Sequence, residues 1–118
     1  MNIITVIAIS IVILLHFSFL VLEMFLWNTP TGRMIFGLSE EFAKKSAPLA
    51  TNLGLYNGFL AAGLLWGLVS TGGFDALVFF LSCIFIAGIY GAITANVSTL
   101  WLQTVPAGTA MLLLFSNL

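Results

Sequence analysis

Apolar residues run through this chain in long blocks, not in the alternation of a sheet, and the blocks are long enough to cross a bilayer. The first, Asn2 to Trp27, is broken only by His16 and Glu23. The second runs from about Pro48 to Ser70. A charge-free run from Ala76 to Leu118 follows. That last run exceeds the roughly 20 residues one spanning helix needs and divides at its polar cluster, Thr94 to Thr99. The pattern predicts four spans, roughly 3–27, 49–70, 74–95 and 98–116, with a polar loop over 28–48. Continuous apolarity excludes a β-barrel, whose strands alternate. No basic residue precedes the first block, so it is expected to be a retained helix and not a secretory signal. The expected fold is an all-α, four-helix transmembrane bundle, with residues 1–118 as a single integral membrane domain.

Composition agrees. Of 118 residues, 61% are hydrophobic and 6% charged, against about 25% charged in soluble domains. Mean hydropathy is +1.19. This excludes a soluble enzyme, a disordered tail and a nucleic-acid binder, which needs a basic face. One cysteine, Cys83, excludes a disulfide framework and a cysteine-rich metal site. The expected location is the cytoplasmic membrane, with the lipid bilayer as partner.

The three basic residues, Arg33, Lys44 and Lys45, all fall in the first loop. By the positive-inside rule that loop faces the cytoplasm, and four spans place both termini outside. Asn28-Thr29-Pro30-Thr31-Gly32 is a turn signal. Ser39 is an N-cap candidate for a short amphipathic helix, Glu40 to Ser46. Met34, Phe36, Leu38 and Phe42 are too apolar for a free linker and suit the membrane surface, with a plug at the cytoplasmic mouth of the bundle as the alternative. Asp75 opens the third span, where the helix dipole favours a carboxylate.

Small residues recur at four-residue spacing: Gly54/Gly58/Ala62, Gly63/Gly67, Ala87/Gly91/Ala95 and Gly88/Ala92. In lipid such stripes let helices approach closely. Two stripes per helix predict that spans two and three each touch more than one neighbour, or that one stripe serves a homo-oligomer.

Polar side chains inside spans are costly and mark candidate sites. Measured from the cytoplasmic end of each span at about 1.5 Å per residue, Glu23 lies about 6 Å in, Tyr90 and Gln103 about 7–8 Å, Tyr56 and Asn57 about 10–12 Å, and His16 about 16 Å. Nearly all lie in the cytoplasmic half, the pattern of a cavity opening that way. His16, Glu23 and Trp27 follow one another along one helical stripe. The first two are separated by about 10.5 Å, too far to ligate one ion, and no metal site is expected. Glu23 and His16 are the candidates for acid/base work or proton coupling. Trp27, Asn52, Tyr56, Asn57, Tyr90 and Gln103 are the candidate ligand-binding groups. Each also has a plain reading: interhelical hydrogen bonds for His16, Asn52, Tyr56 and Asn57, and an ion pair with Arg33 for Glu23. Pro106 has no N–H for the Leu102 carbonyl and is expected to loosen the turn holding Gln103.

The segments His16–Trp27 (HFSFLVLEMFLW), Asn52–Leu68 (NLGLYNGFLAAGLLWGL), Ala87–Thr94 (AGIYGAIT) and Gln103–Ala107 (QTVPA) resemble a family of small bacterial membrane proteins. That family is catalogued as domain of unknown function thirteen-hundred-and-four. The resemblance touches all four spans and implies the same fold and grouping of polar residues, and it brings no activity or cofactor. The leading expectation for function is a cytoplasm-facing pocket that binds or acts on a small amphipathic or lipidic molecule. A small proton-coupled exporter, similar in size to the small multidrug-resistance transporters, and a non-catalytic membrane assembly factor are the alternatives.

Overall fold

A computed structural model describes residues 1–117. Among these the chain forms five α-helices: α1 Ile3–Met24, α2 Pro30–Phe36, α3 Glu40–Val69, α4 Phe74–Thr94 and α5 Val105–Phe115, the last preceded by a π-helical turn, Leu100–Thr104. Three of them, α1, α3 and α4, are long and apolar enough to cross a membrane. The fourth apolar segment, the five-residue π turn with the 11-residue α5, is shorter than that.

The element boundaries depart from the sequence pattern at three places. The first helix stops at Met24, so Trp27 lies in the following turn and not on the helical stripe of His16 and Glu23. The Asn28–Gly32 turn signal becomes a helix start. Thr29 takes an extended backbone and its hydroxyl accepts from the Gly32 N–H at 3.2 Å. Pro30 occupies the first helical position, where its missing N–H costs nothing. This helix ends at Gly37, whose left-handed φ of 66° favours glycine. Finally, the short loop helix and the second span are one 30-residue helix. Ser39 caps it as expected, accepting from the Phe42 N–H at 3.1 Å. Pro48 does not break it. Pro48 deprives the Lys44 carbonyl of its donor, but Lys44, Lys45 and Pro48 are all exposed, where water can replace that bond.

The described chain falls into two compact units, and α1 and α3 each contribute to both. In the unit His16–Phe59, small residues of α3 receive side chains of α1. A Cβ on Gly54 would lie 2.6 Å from Met24 Cγ and 3.1 Å from Glu23 Cβ, and one on Gly58 would collide with Leu20. Thr29 also donates to the Leu26 carbonyl at 2.6 Å, tying the start of α2 to the turn before it. Thr29→Ala removes the cap and this bond together, and is expected to cost about 1 kcal/mol. A lowered melting temperature in detergent, partly restored by Thr29→Ser, is the check.

The other unit joins Met1–Leu15 to the chain from Leu60 onward. Its core is Ile9, Val12, Leu64, Leu77, Leu81, Ile84, Ala107, Ala110 and Leu114. The second glycine stripe of α3 faces α4 here: Gly63 abuts the Phe80 ring and Gly67 abuts Leu77. The two α3 stripes therefore meet different helices, as their spacing predicted. A tight turn with Gly72 at φ 74° links α3 to α4. The break before the last helix falls at the polar cluster, where Ala95 and Asn96 both donate to the Gly91 carbonyl and Asn96 Oδ1 accepts from the Ser98 N–H. Pro106 leaves its mark one turn earlier. The Val105 N–H reaches back five residues to Leu100, the bond of a π turn, so the loosening expected there takes the form of a wider turn. Thr104 and Thr99 fasten this segment to α4, donating to the Phe85 carbonyl at 3.0 Å and the Gly88 carbonyl at 2.8 Å. The chain ends of this unit are also tied. Asn2 N–H donates to Asn117 Oδ1 at 3.0 Å, and Asn117 Nδ2 to the buried Thr5 hydroxyl at 2.9 Å.

Candidate functional site

Glu23 is the one acidic residue within the apolar length of α1. It sits one residue before the helix end and is half-buried. Its partner comes from α3: Asn57 Nδ2 donates to Glu23 Oε1 at 2.6 Å. The contact exists because Gly54 and Gly58, on either side of Asn57 by one turn or less, let α1 approach the α3 backbone. A larger residue at either position would hold Glu23 away. The expected alternative, an ion pair with Arg33, does not form; Arg33 Nη1 instead donates to Asn28 Oδ1 at 3.0 Å. The carboxylate is thus held by a neutral amide.

His16 lies two turns earlier on α1. It is fully buried, with its ring edge-on to Phe19 at 5.2 Å between centroids. The continuous helix between His16 and Glu23 keeps them about 10.5 Å apart along the axis, so neither touches the other. Among the described residues no three or more His, Cys, Asp or Glu side chains lie close enough to hold a metal ion.

Trp27 turns toward α3 beyond the helix end. Its indole Nε1 donates to Ser46 Oγ at 2.9 Å, Ser46 Oγ in turn donates to the Phe42 carbonyl at 2.7 Å, and the indole ring packs on Phe36 at 4.8 Å. This places Trp27 as the clamp between the α1–α2 turn, α2 and the start of α3. Ser46 was not singled out from sequence; one serine in a polar loop carries no signal until its partner is placed.

The remaining candidates are spread out. Asn52 is exposed and donates to the Pro48 carbonyl of its own helix at 3.1 Å. Tyr56 is 62% exposed, edge-on to Phe59. Tyr90 and Gln103 belong to the other unit, where Tyr90 is 68% exposed and Gln103 is half-buried on the π turn with its Cβ toward Gly88. Tyr90, four residues before the end of α4, suits the aromatic belt at a membrane interface, whereas Tyr56 lies in the middle of α3. The one pair of candidates joined by a hydrogen bond among the described residues is Glu23 and Asn57.

Comparison with known proteins places these residues in a family. The model of a family described as "Protein of unknown function (DUF1304)" matches residues 10–115. The chain is 29% identical to the "Uncharacterized protein YpaA" of Lactococcus lactis subsp. lactis (strain IL1403), over 99% of this chain and 98% of that protein. No solved structure matches the chain.

Proposed function

This chain belongs to the DUF1304 family, whose description assigns no activity, and we propose that it is a multi-pass membrane protein holding a small amphipathic or lipidic molecule beside Glu23 and Asn57. The observation that carries this reading is the 2.6 Å bond between those two side chains, set between helices whose contact surfaces are otherwise Leu20, Met24, Gly54 and Gly58. A carboxylate and an amide at that depth are costly, and a purely packing role would be served as well by leucine. In this reading Glu23 grips or protonates the ligand, Asn57 orients Glu23, and the Trp27 clamp with Phe36 closes the end of the site. His16 holds the helix upstream.

The same reading takes four crossings, with α1, α3, α4 and the segment Leu100–Phe115 as the spans. The stretch 33–45, on α2 and the start of α3, is cytoplasmic and both termini are outside, supported by the confinement of every Lys and Arg to that stretch. Single-cysteine labelling tests it. In a Cys83→Ser background, Glu23→Cys is expected to react with a charged, membrane-impermeant thiol reagent in inside-out vesicles and to stay unreacted in right-side-out ones. Labelling from the outer side alone would overturn the orientation and the cytoplasmic opening together.

A further inference from the structure

The donors and charges around Glu23 narrow the ligand further, in an inference that rests on the binding role just proposed. The bond from Asn57 uses one carboxylate oxygen and one amide N–H. Glu23 Oε2 and Asn57 Oδ1 accept no hydrogen bond from the described residues, and covalent geometry keeps both within a few ångströms of that bond. Both atoms can only accept when the carboxylate is ionised. The charge is unmatched as well. Lys45 pairs with Glu41 at 3.2 Å, Arg33 is engaged with Asn28, and Lys44 is exposed. No basic side chain among the described residues forms an ion pair with Glu23. An anionic group within a span is expected to meet a cation or lose its charge, and here the protein supplies an amide instead.

We propose that the Glu23–Asn57 pair receives the ammonium group of an amine-headed amphiphile, with its N–H donors shared between Glu23 Oε2 and Asn57 Oδ1. The tail extends into the surrounding bilayer. An anionic head would face two acceptors and a like charge, and a neutral alcohol would leave the carboxylate without a counter-charge. A quaternary ammonium brings charge without N–H and satisfies half of the requirement. An aminophospholipid headgroup and a free long-chain amine share this chemistry.

The test uses the full chain in a neutral maltoside detergent. Dodecylamine, dodecyltrimethylammonium, dodecanol and dodecanoate are titrated, with binding read by native mass spectrometry and melting temperature. Dodecylamine is expected to bind at least tenfold more tightly than dodecanol or dodecanoate, with dodecyltrimethylammonium between. In Glu23→Gln that preference disappears. Should this variant fail to fold, the selectivity series on the wild-type protein decides alone. Nanodiscs of phosphatidylethanolamine and of phosphatidylcholine separate the sources. Retained phosphatidylethanolamine identifies a lipid headgroup, and dodecylamine binding without it identifies a free amine; both support the assignment. Dodecanol or dodecanoate binding as tightly as dodecylamine overturns the ammonium assignment while leaving the binding role standing. Binding of none of the four, and of neither phospholipid, overturns both.

Discussion

Gly88→Leu is expected to remove most of the fold's stability, the largest loss of any single substitution considered. Gly88 is buried on α4 against the π turn. A Cβ there would collide with Thr104 Oγ1 and lie 2.7 Å from the Thr104 backbone nitrogen and 3.0 Å from Gln103 Cβ. The obstacle is backbone and a hydrogen-bonded hydroxyl, so no flexible side chain can swing away. Overpacking of this kind costs about 1–3 kcal/mol or more. Displacing the turn also strains two bonds that fasten it, Thr104 Oγ1 to the Phe85 carbonyl and Thr99 Oγ1 to the Gly88 carbonyl, each about 0.6 kcal/mol in a membrane setting. Together these approach the lower end of a domain's whole stability, about 5 kcal/mol. Size-exclusion profiles and thermal melts in detergent provide the measurement. Gly88→Ala should fall between wild type and Gly88→Leu, and an unchanged melt for Gly88→Leu would remove the close contact from the account.

Gly32→Val is expected to open the loop without unfolding the spans. Gly32 is buried in α2, and a Cβ there would collide with the Leu26 carbonyl oxygen and lie 2.8 Å from that of Trp27. Two backbone segments cannot both stay, and α2 must lift from the turn that precedes it. That movement pulls Phe36 from Trp27 and strains the indole bond to Ser46. Again about 1–3 kcal/mol is at stake, but it is confined to residues outside the long apolar segments. Trypsin reports it directly, because Arg33, Lys44 and Lys45 are the only basic residues. Cleavage at Arg33 should accelerate at least tenfold in Gly32→Val while the helical signal is retained. Equal cleavage rates would mean that α2 does not depend on this contact.

These two glycines illustrate how unevenly the structure can be read from sequence. Gly88 belongs to a four-residue stripe whose packing role follows from spacing alone, because lipid offers no hydrophobic drive between helices. Gly32 sits in a stretch that looks like a turn, because Thr29, Pro30 and Gly32 are turn formers and also the cap, first position and close-packed interior of a seven-residue helix. Local chemistry is the same in both, and only the Leu26–Trp27 backbone it packs on decides. Pro48 misleads for the opposite reason: an exposed proline is tolerated where water can serve the freed carbonyl. Pro106 in an apolar segment instead widens the preceding turn.

The candidate site divides in the same way. Polar residues in apolar helices were conspicuous, so Glu23 and Asn57 were both legible. Their pairing was not, since residues 34 positions apart meet only through the Gly54/Gly58 face. The Arg33 alternative was also consistent with sequence, but Arg33 donates to Asn28 and forms no ion pair with Glu23. Tyr56 and Tyr90 were grouped with the site by depth along their helices, a coordinate that says nothing about direction around the axis. Their exposure comes from that second coordinate.

Native mass spectrometry of the wild-type protein and Glu23→Gln, purified side by side in a neutral detergent, tests the binding role of Glu23 most directly. The wild-type protein is expected to retain a small-molecule or lipid adduct of defined mass that Glu23→Gln lacks, with the same helical signal in both. Adducts of equal mass and occupancy in the two proteins, or none in either, would contradict a ligand held by Glu23.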